Sequence, residues 1–324
     1  MMKKRVKQGS AILLAFAVAL SVFVLPGVWA ASAIDVDRKD CSVEFSVGGE
    51  YEELNTNDLS VKLYRVASVD KAGAYAPVSD FSGLDLSALS RENKDSAAKW
   101  LERAQAAEDM VTANTAVAAD PTIKNGKATV KNLETGLYLV SVEQLVTPNY
   151  VYTFTPYLIS LPNNYYYQTG DDEWVYELSE VVLKPEQTPR YGSLVIDKTL
   201  RDFNATSGAQ ATFVFQIDIT TLEGKTESRV EAMTMGAGEE SQQLTIDQIP
   251  AGASVRVRET YSGASYTQVS DDPDDVTIFA DEAVRVSFEN AHDGRPNGGY
   301  GVKNNFKLDE NKQYQYTGDN VSTD

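Results

Sequence analysis

Three residues far apart in the chain break an apolar pattern in the same way. In SLVIDKTL (193–200), Leu194, Ile196 and Leu200 share one strand face, and Lys198 lies in the same phase. In SVRVRETY (254–261), Val255, Val257 and Tyr261 share a face with Glu259. In AVRVSFEN (283–290), Val284, Val286 and Phe288 share a face that Asn290 continues. A lone charge in a core is costly, so three strands that each turn one polar group inward predict that the groups meet. Burial disfavours the charged forms of amines and carboxylic acids alike. A neutral lysine is a nucleophile, and a neutral acid polarises an amide carbonyl by hydrogen bonding to it. Lys198 can then attack the side-chain carbonyl of Asn290, with Glu259 shuttling protons and ammonia leaving. The product is an amide cross-link between two strands. The other reading of the same residues is an ordinary Lys–Glu ion pair near the strand ends, with Asn290 terminating a strand.

Little else in the composition can do chemistry. The chain has 324 residues, 42% apolar, a net charge of −18, one His and one Cys. The acidity disfavours nucleic acid as a partner. A zinc site of His and Cys ligands needs three or four such residues, and a triad hydrolase would rest on His292 alone. Neither a cofactor nor a metal is expected, and the chain is read as a non-enzyme apart from a single-turnover self-cross-link. The acidic runs DDPDD (271–275) and DDE (171–173) lack calcium-loop spacing and read as solvated loop charge. Cys41, in the alternating CSVEFSV, reads as a buried thiol.

The elements that must position the triad are short strands divided by turn residues. The fold expected is mainly β: two Ig-like or Greek-key β-sandwich domains in tandem, the first with a helical insertion. The first spans 32–185. Its strands are CSVEFSV (41–47), LSVKLYRVASV (59–69), KATVKNL (127–133), GLYLVSVEQL (136–145), YLISLP (157–162) and WVYEL (174–178). Its helical stretch, about 86–119, places Leu89, Ala97, Trp100, Leu101, Ala104 and Ala107 on one face. The second domain spans 191–292 and adds strands at 211–220 and 240–249 to the three above. KPEQTPRYG (184–192), with two prolines and no periodicity, reads as a semi-rigid linker. Residues 293–324 read as a flexible polar tail. Residues 1–30 read as a secretory signal peptide: four positive charges, a 15-residue apolar run at 11–25, and a small residue, Ala30, at the cleavage point.

K-T-L in a first strand, V-R-E-T-Y, and F-E-N in a last strand resemble the isopeptide-forming domains of Gram-positive pilins and the B-type repeats of collagen adhesins. ATFVFQIDI…LTIDQIPAGASVRVRET is similar to the same family. The resemblance covers about 100 residues. It implies a bond between Lys198 and Asn290 with Glu259 as the proton shuttle. The first domain looks like a more distant relative, through LSVKLYRVASV and KATVKNLETGLYLVSVEQ. That likeness implies a possible second site of Lys39 or Lys62 with Glu143 and Asn163. Trp174 followed by VVLKPE resembles the motif around a pilin's sortase-acceptor lysine and points to Lys184, although its proline follows the lysine instead of preceding it.

The implied protein is a secreted or cell-wall structural subunit on a Gram-positive surface, with other surface subunits and a sortase as partners. Tyr316-Thr317-Gly318 has no Leu-Pro before it, so the mode of anchoring is open. The alternative is an adhesin on the same scaffold, binding a host glycan or matrix protein through Tyr165, Tyr166 and Tyr167.

Overall fold

The computed structural model describes residues 33–89, 96–164, 174–203, 210–294, 306–308 and 314–316. The expected signal peptide, Tyr165–Tyr167 and the DDE run lie outside them. The chain divides into two compact units, Met1–Thr188 and Pro189–Asp324, and the fold is mainly β with a single α-helix among the described residues.

The first unit is built around a sheet of Tyr75–Pro77, Leu59–Val69, Gly136–Val142 and Tyr157–Leu161, with Thr122–Ile123 pairing the start of Leu59–Val69. One face packs on a second sheet, in which Cys41–Ser46 lies between Glu177–Val182 and Lys127–Leu133. Cys41, Val43, Phe45, Val61, Leu63 and Tyr138 fill that layer. The other face carries Tyr64, Val66, Leu137 and Leu139 and is covered by the helix Ser96–Met110. Burial on both faces explains why LSVKLYRVASV and GLYLVSV are near-continuous apolar runs. The helix contains good helix formers and no β-branched residue. Ala104 and Ala107 have no exposure, so small side chains let it approach the sheet closely. It is shorter than the stretch the periodicity predicts. Leu89 sits in a separate 3-10 turn, and Leu101 is exposed instead of facing the sheet. Ala104 and Ala107 meet the sheet with Trp100 and Met110 packed beside them, and Leu101 lies outside that face.

The second unit is a sandwich of two four-stranded sheets. One runs in the order Ser241–Pro250, Tyr191–Arg201, Ala283–His292, Tyr266–Gln268; the other in the order Thr226–Gly236, Gln210–Thr220, Ser254–Tyr261, Val276–Thr277. Leu194, Ile196, Phe213, Phe215, Ile217, Val255, Val257 and Phe288 form the core between them. The first strand, Tyr191–Arg201, pairs in parallel with the last, Ala283–His292, from Ser193↔Ala283 to Arg201↔Ala291.

One expectation is corrected here, and two further strand pairings come to light. The segment read as a linker is strand on both sides: Pro185–Pro189 pairs with Tyr150–Phe154 in the first unit, and Tyr191 already belongs to the second. Edge strands tolerate proline, so the two prolines gave the wrong signal. The strand Thr226–Gly236 has no counterpart in the sequence reading. It is an edge strand in which only Met233 and Met235 are buried, so its alternation is masked by polar residues. In the tail, Phe306–Leu308 pairs antiparallel with Tyr314–Tyr316.

Candidate functional site: a buried lysine, glutamate and asparagine

Lys198 follows Leu194 and Ile196 on the inward face of the first strand, and its side chain is fully buried. Asn290 occupies the corresponding inward position on the parallel last strand, opposite Leu200 in the register, and is equally buried. Glu259 comes from the facing sheet. It continues the inward phase of Val255 and Val257, and its side chain has no exposure. After Glu259 that phase ends, because the register with Gln210–Thr220 shifts between Phe215↔Glu259 and Val214↔Tyr261. Thr260 is the extra residue of a bulge, and Tyr261 turns outward into solvent instead of facing the core with Glu259.

One oxygen links the three. Lys198 Nζ lies 2.8 Å from Glu259 Oε1, off the line of a good hydrogen bond. Asn290 Nδ2 donates to the same Oε1 at 3.1 Å and to the main-chain carbonyl of Ser262 at 3.2 Å. The two remaining acceptors, Glu259 Oε2 and Asn290 Oδ1, are buried with no partner. Aromatic rings close the site: Nζ sits 4.6 Å from the centroid of Phe213 and 5.9 Å from that of Phe215, and Phe215 packs on Phe288 at 5.2 Å. Burial pulls the Lys198 pKa below the ordinary lysine value, opposed by the adjacent Glu259 carboxylate. The arrangement therefore offers a dry amine, a carboxyl group touching both the amine and the amide nitrogen, and an amide with an unengaged carbonyl oxygen.

The possible second site is not assembled as the resemblance implied. Lys39 is largely exposed and pairs with Glu134 at 2.8 Å, not with Glu143. Lys62 does meet Glu143, at 2.6 Å, but the glutamate side chain is 57% exposed and the pair is wet. Asn163 belongs to a two-residue strand paired with Trp174–Val175. Lys184 is exposed between Glu177–Val182 and Pro185–Pro189. Cys41 is buried, which pushes its thiol up to about 11. No cluster of three metal-binding side chains exists among the described residues. In DDPDD, Asp275 pairs with Arg256 at 2.7 Å and Asp272 accepts from Gln268. His292 accepts from the Gly294 amide at Nδ1 and packs edge-on against Tyr266.

The sequence reading missed two contributors. The Ser262 carbonyl is main chain and carries no residue-type signal. Phe213 and Phe215 were legible only as core alternation, with nothing to mark them as the lysine's cover.

A family model described as a domain of unknown function, DUF5979, matches residues 194–293, which include all three triad residues. No curated protein matches. Among solved structures, the Bacillus anthracis TIE protein aligns at 12% identity over 78% of this chain, with a TM-score of 0.33. The chain spans about a third (34%) of that protein's length. The Corynebacterium diphtheriae major pilin SpaA aligns at 11% identity over 78% of this chain and 100% of that one, with a TM-score of 0.28. GBS52, the minor pilin of Streptococcus agalactiae, aligns at 16% identity over 80% of this chain and 99% of that one, with a TM-score of 0.26. The solved structures that this chain resembles thus include pilin subunits of Gram-positive bacteria.

Proposed function

We propose that this chain is a structural subunit of a Gram-positive cell surface, pilin-like in kind, whose second unit locks itself with an amide bond between Lys198 and Asn290. The observation that carries the reading is the fully buried Lys198–Glu259–Asn290 contact, in which one carboxylate oxygen touches both nitrogens that must exchange protons.

The chemistry runs within the site. The Lys198 ammonium passes a proton to the Glu259 carboxylate, leaving a neutral amine and a neutral acid. The Nζ lone pair attacks Cγ of Asn290, and the carbonyl electrons move onto Oδ1 while Glu259 stays in contact with Nδ2. A proton then moves from Nζ to Nδ2 through Glu259, the Cγ–Nδ2 bond breaks, and ammonia leaves. One amide replaces another, and Glu259 ends protonated. Each molecule reacts once, so the protein is a scaffold and not an enzyme. In this reading residues 1–30 direct export, other subunits are the partners, and Lys184 is the acceptor for a sortase.

Intact mass of the purified chain should be short by one ammonia after allowance for signal-peptide removal. A tryptic digest should contain a branched peptide holding Lys198 and Asn290. Glu259→Ala and Asn290→Ala should each restore the missing mass. Full sequence mass in the folded, unmutated chain sinks the proposal.

A further inference from the structure

We infer that the main-chain carbonyl of Ser262 is a catalytic group of this site, receiving the leaving nitrogen and selecting an amide over an acid at position 290. The inference rests on the self-cross-linking reading above. Its basis is that both hydrogens of Asn290 Nδ2 are spoken for, one by Glu259 Oε1 and one by Ser262 O. The flipped amide would set Oδ1 against two acceptors, so the pair of contacts fixes which end faces which group. Oδ1 is thereby left buried and unpartnered, on the side where charge must develop.

The contact strengthens as the reaction proceeds. When Nδ2 takes its third proton it becomes a positively charged leaving group. A carbonyl oxygen already aligned on it stabilises that charge more than it stabilises the neutral amide, which is the condition for lowering a barrier. The same geometry discriminates. A carboxyl group at position 290 has at most one hydrogen on the oxygen that replaces Nδ2. It can satisfy Glu259 or Ser262, but not both, and one acceptor is left facing an oxygen in a dry site.

The turn that carries the carbonyl is held tightly. Gly263 adopts φ +89, and a Cβ there would lie 3.0 Å from the Tyr266 ring and 3.5 Å from Phe213, the residue under Lys198. Gly263→Ala should therefore strain the turn that presents the Ser262 carbonyl while leaving the identities of the three triad residues unchanged.

The full chain, made by cell-free synthesis and sampled by time-resolved intact mass, tests this. The unmutated chain should lose ammonia. Asn290→Asp should lose water at least about tenfold more slowly. In the Gly263→Ala background the ratio of the two rates should fall towards one, whereas a purely structural turn would slow both equally and leave the ratio unchanged. If the unmutated chain never loses ammonia, the cross-linking reading itself fails. If it does and Asn290→Asp keeps pace, the role of Ser262 is overturned while cross-linking stands. An unchanged ratio in folded Gly263→Ala overturns it too, and if that variant does not fold, the first pair of rates decides alone.

Discussion

Lys198 is the residue whose titration separates a free side chain from a bonded one. Its lowered pKa means that the unfolded chain, with lysine near its ordinary value of 10.5, binds the proton more tightly than the folded chain does. Stability from this group therefore rises with pH through the window between the lowered value and about 10.5, and is reduced below it. In Asn290→Ala, where Lys198 stays an amine, denaturant unfolding followed as the pH is raised towards 10.5 should show that rise. In the cross-linked chain Lys198 is an amide and the rise should vanish. A flat profile in Asn290→Ala would contradict the burial argument. The convergence of the three residues was legible because a period of two is strict along a strand, so Lys198, Glu259 and Asn290 stood out as polar exceptions among Leu, Ile, Val and Phe. Tyr261 obeyed the same period on paper but not in the fold. The bulge at Thr260 inserts one residue and turns Tyr261 out, and no side chain in SVRVRETY announces it.

Between elements, what positions the site is the fit of the lysine strand's entrance. Gly192 is the second residue of Tyr191–Arg201, just before a register shift against Ser241–Pro250. A Cβ there would lie 2.1 Å from the Phe279 carbonyl and 2.9 Å from that of Glu282. Backbone atoms do not yield as a side chain does, so Gly192→Ala should cost about 2 kcal/mol or more. It should also leave part of the population at full sequence mass, because the strand can no longer seat Lys198 in register. Chemical denaturation and intact mass check both, and an unperturbed midpoint would show that the strand slides without penalty. Elements with one strong signal were readable from sequence, among them Leu59–Val69, Lys127–Leu133 and Ala283–His292. Those whose signal is divided were not. Thr226–Gly236 buries two methionines among exposed polar residues, and Pro185–Pro189 hides an edge strand behind two prolines. The helix was legible but overextended, and of its expected inward face Trp100, Ala104 and Ala107 do pack on the sheet, whereas Leu101, which outranks alanine on any hydropathy count, is exposed. The implied second site likewise depended on which side chains meet, and Lys39 pairs with Glu134 instead of Glu143.

For the whole chain, the proposed bond supplies what composition denies. A single cysteine allows no disulfide within one chain. Closing a loop of roughly 90 residues by an amide instead should contribute about 4 to 5 kcal/mol by the chain-entropy argument, less any strain. Asn290→Ala should unfold at correspondingly lower denaturant concentration, with the difference insensitive to reductant; equal midpoints would remove the amide as a source of stability. The parallel pairing of the first and last strands has a further consequence, one of load path. With the proposed bond formed, tension applied between Tyr191 and His292 would run along the first strand to Lys198, cross the amide, and leave along the last strand from Asn290. Everything between 199 and 289 would hang off that path as a closed bight, as the loop of an eye splice hangs off a rope. Such a unit pulled from its ends would transmit force as a short cable without paying out its length, and it would stay the same length under tension whether or not its core had melted.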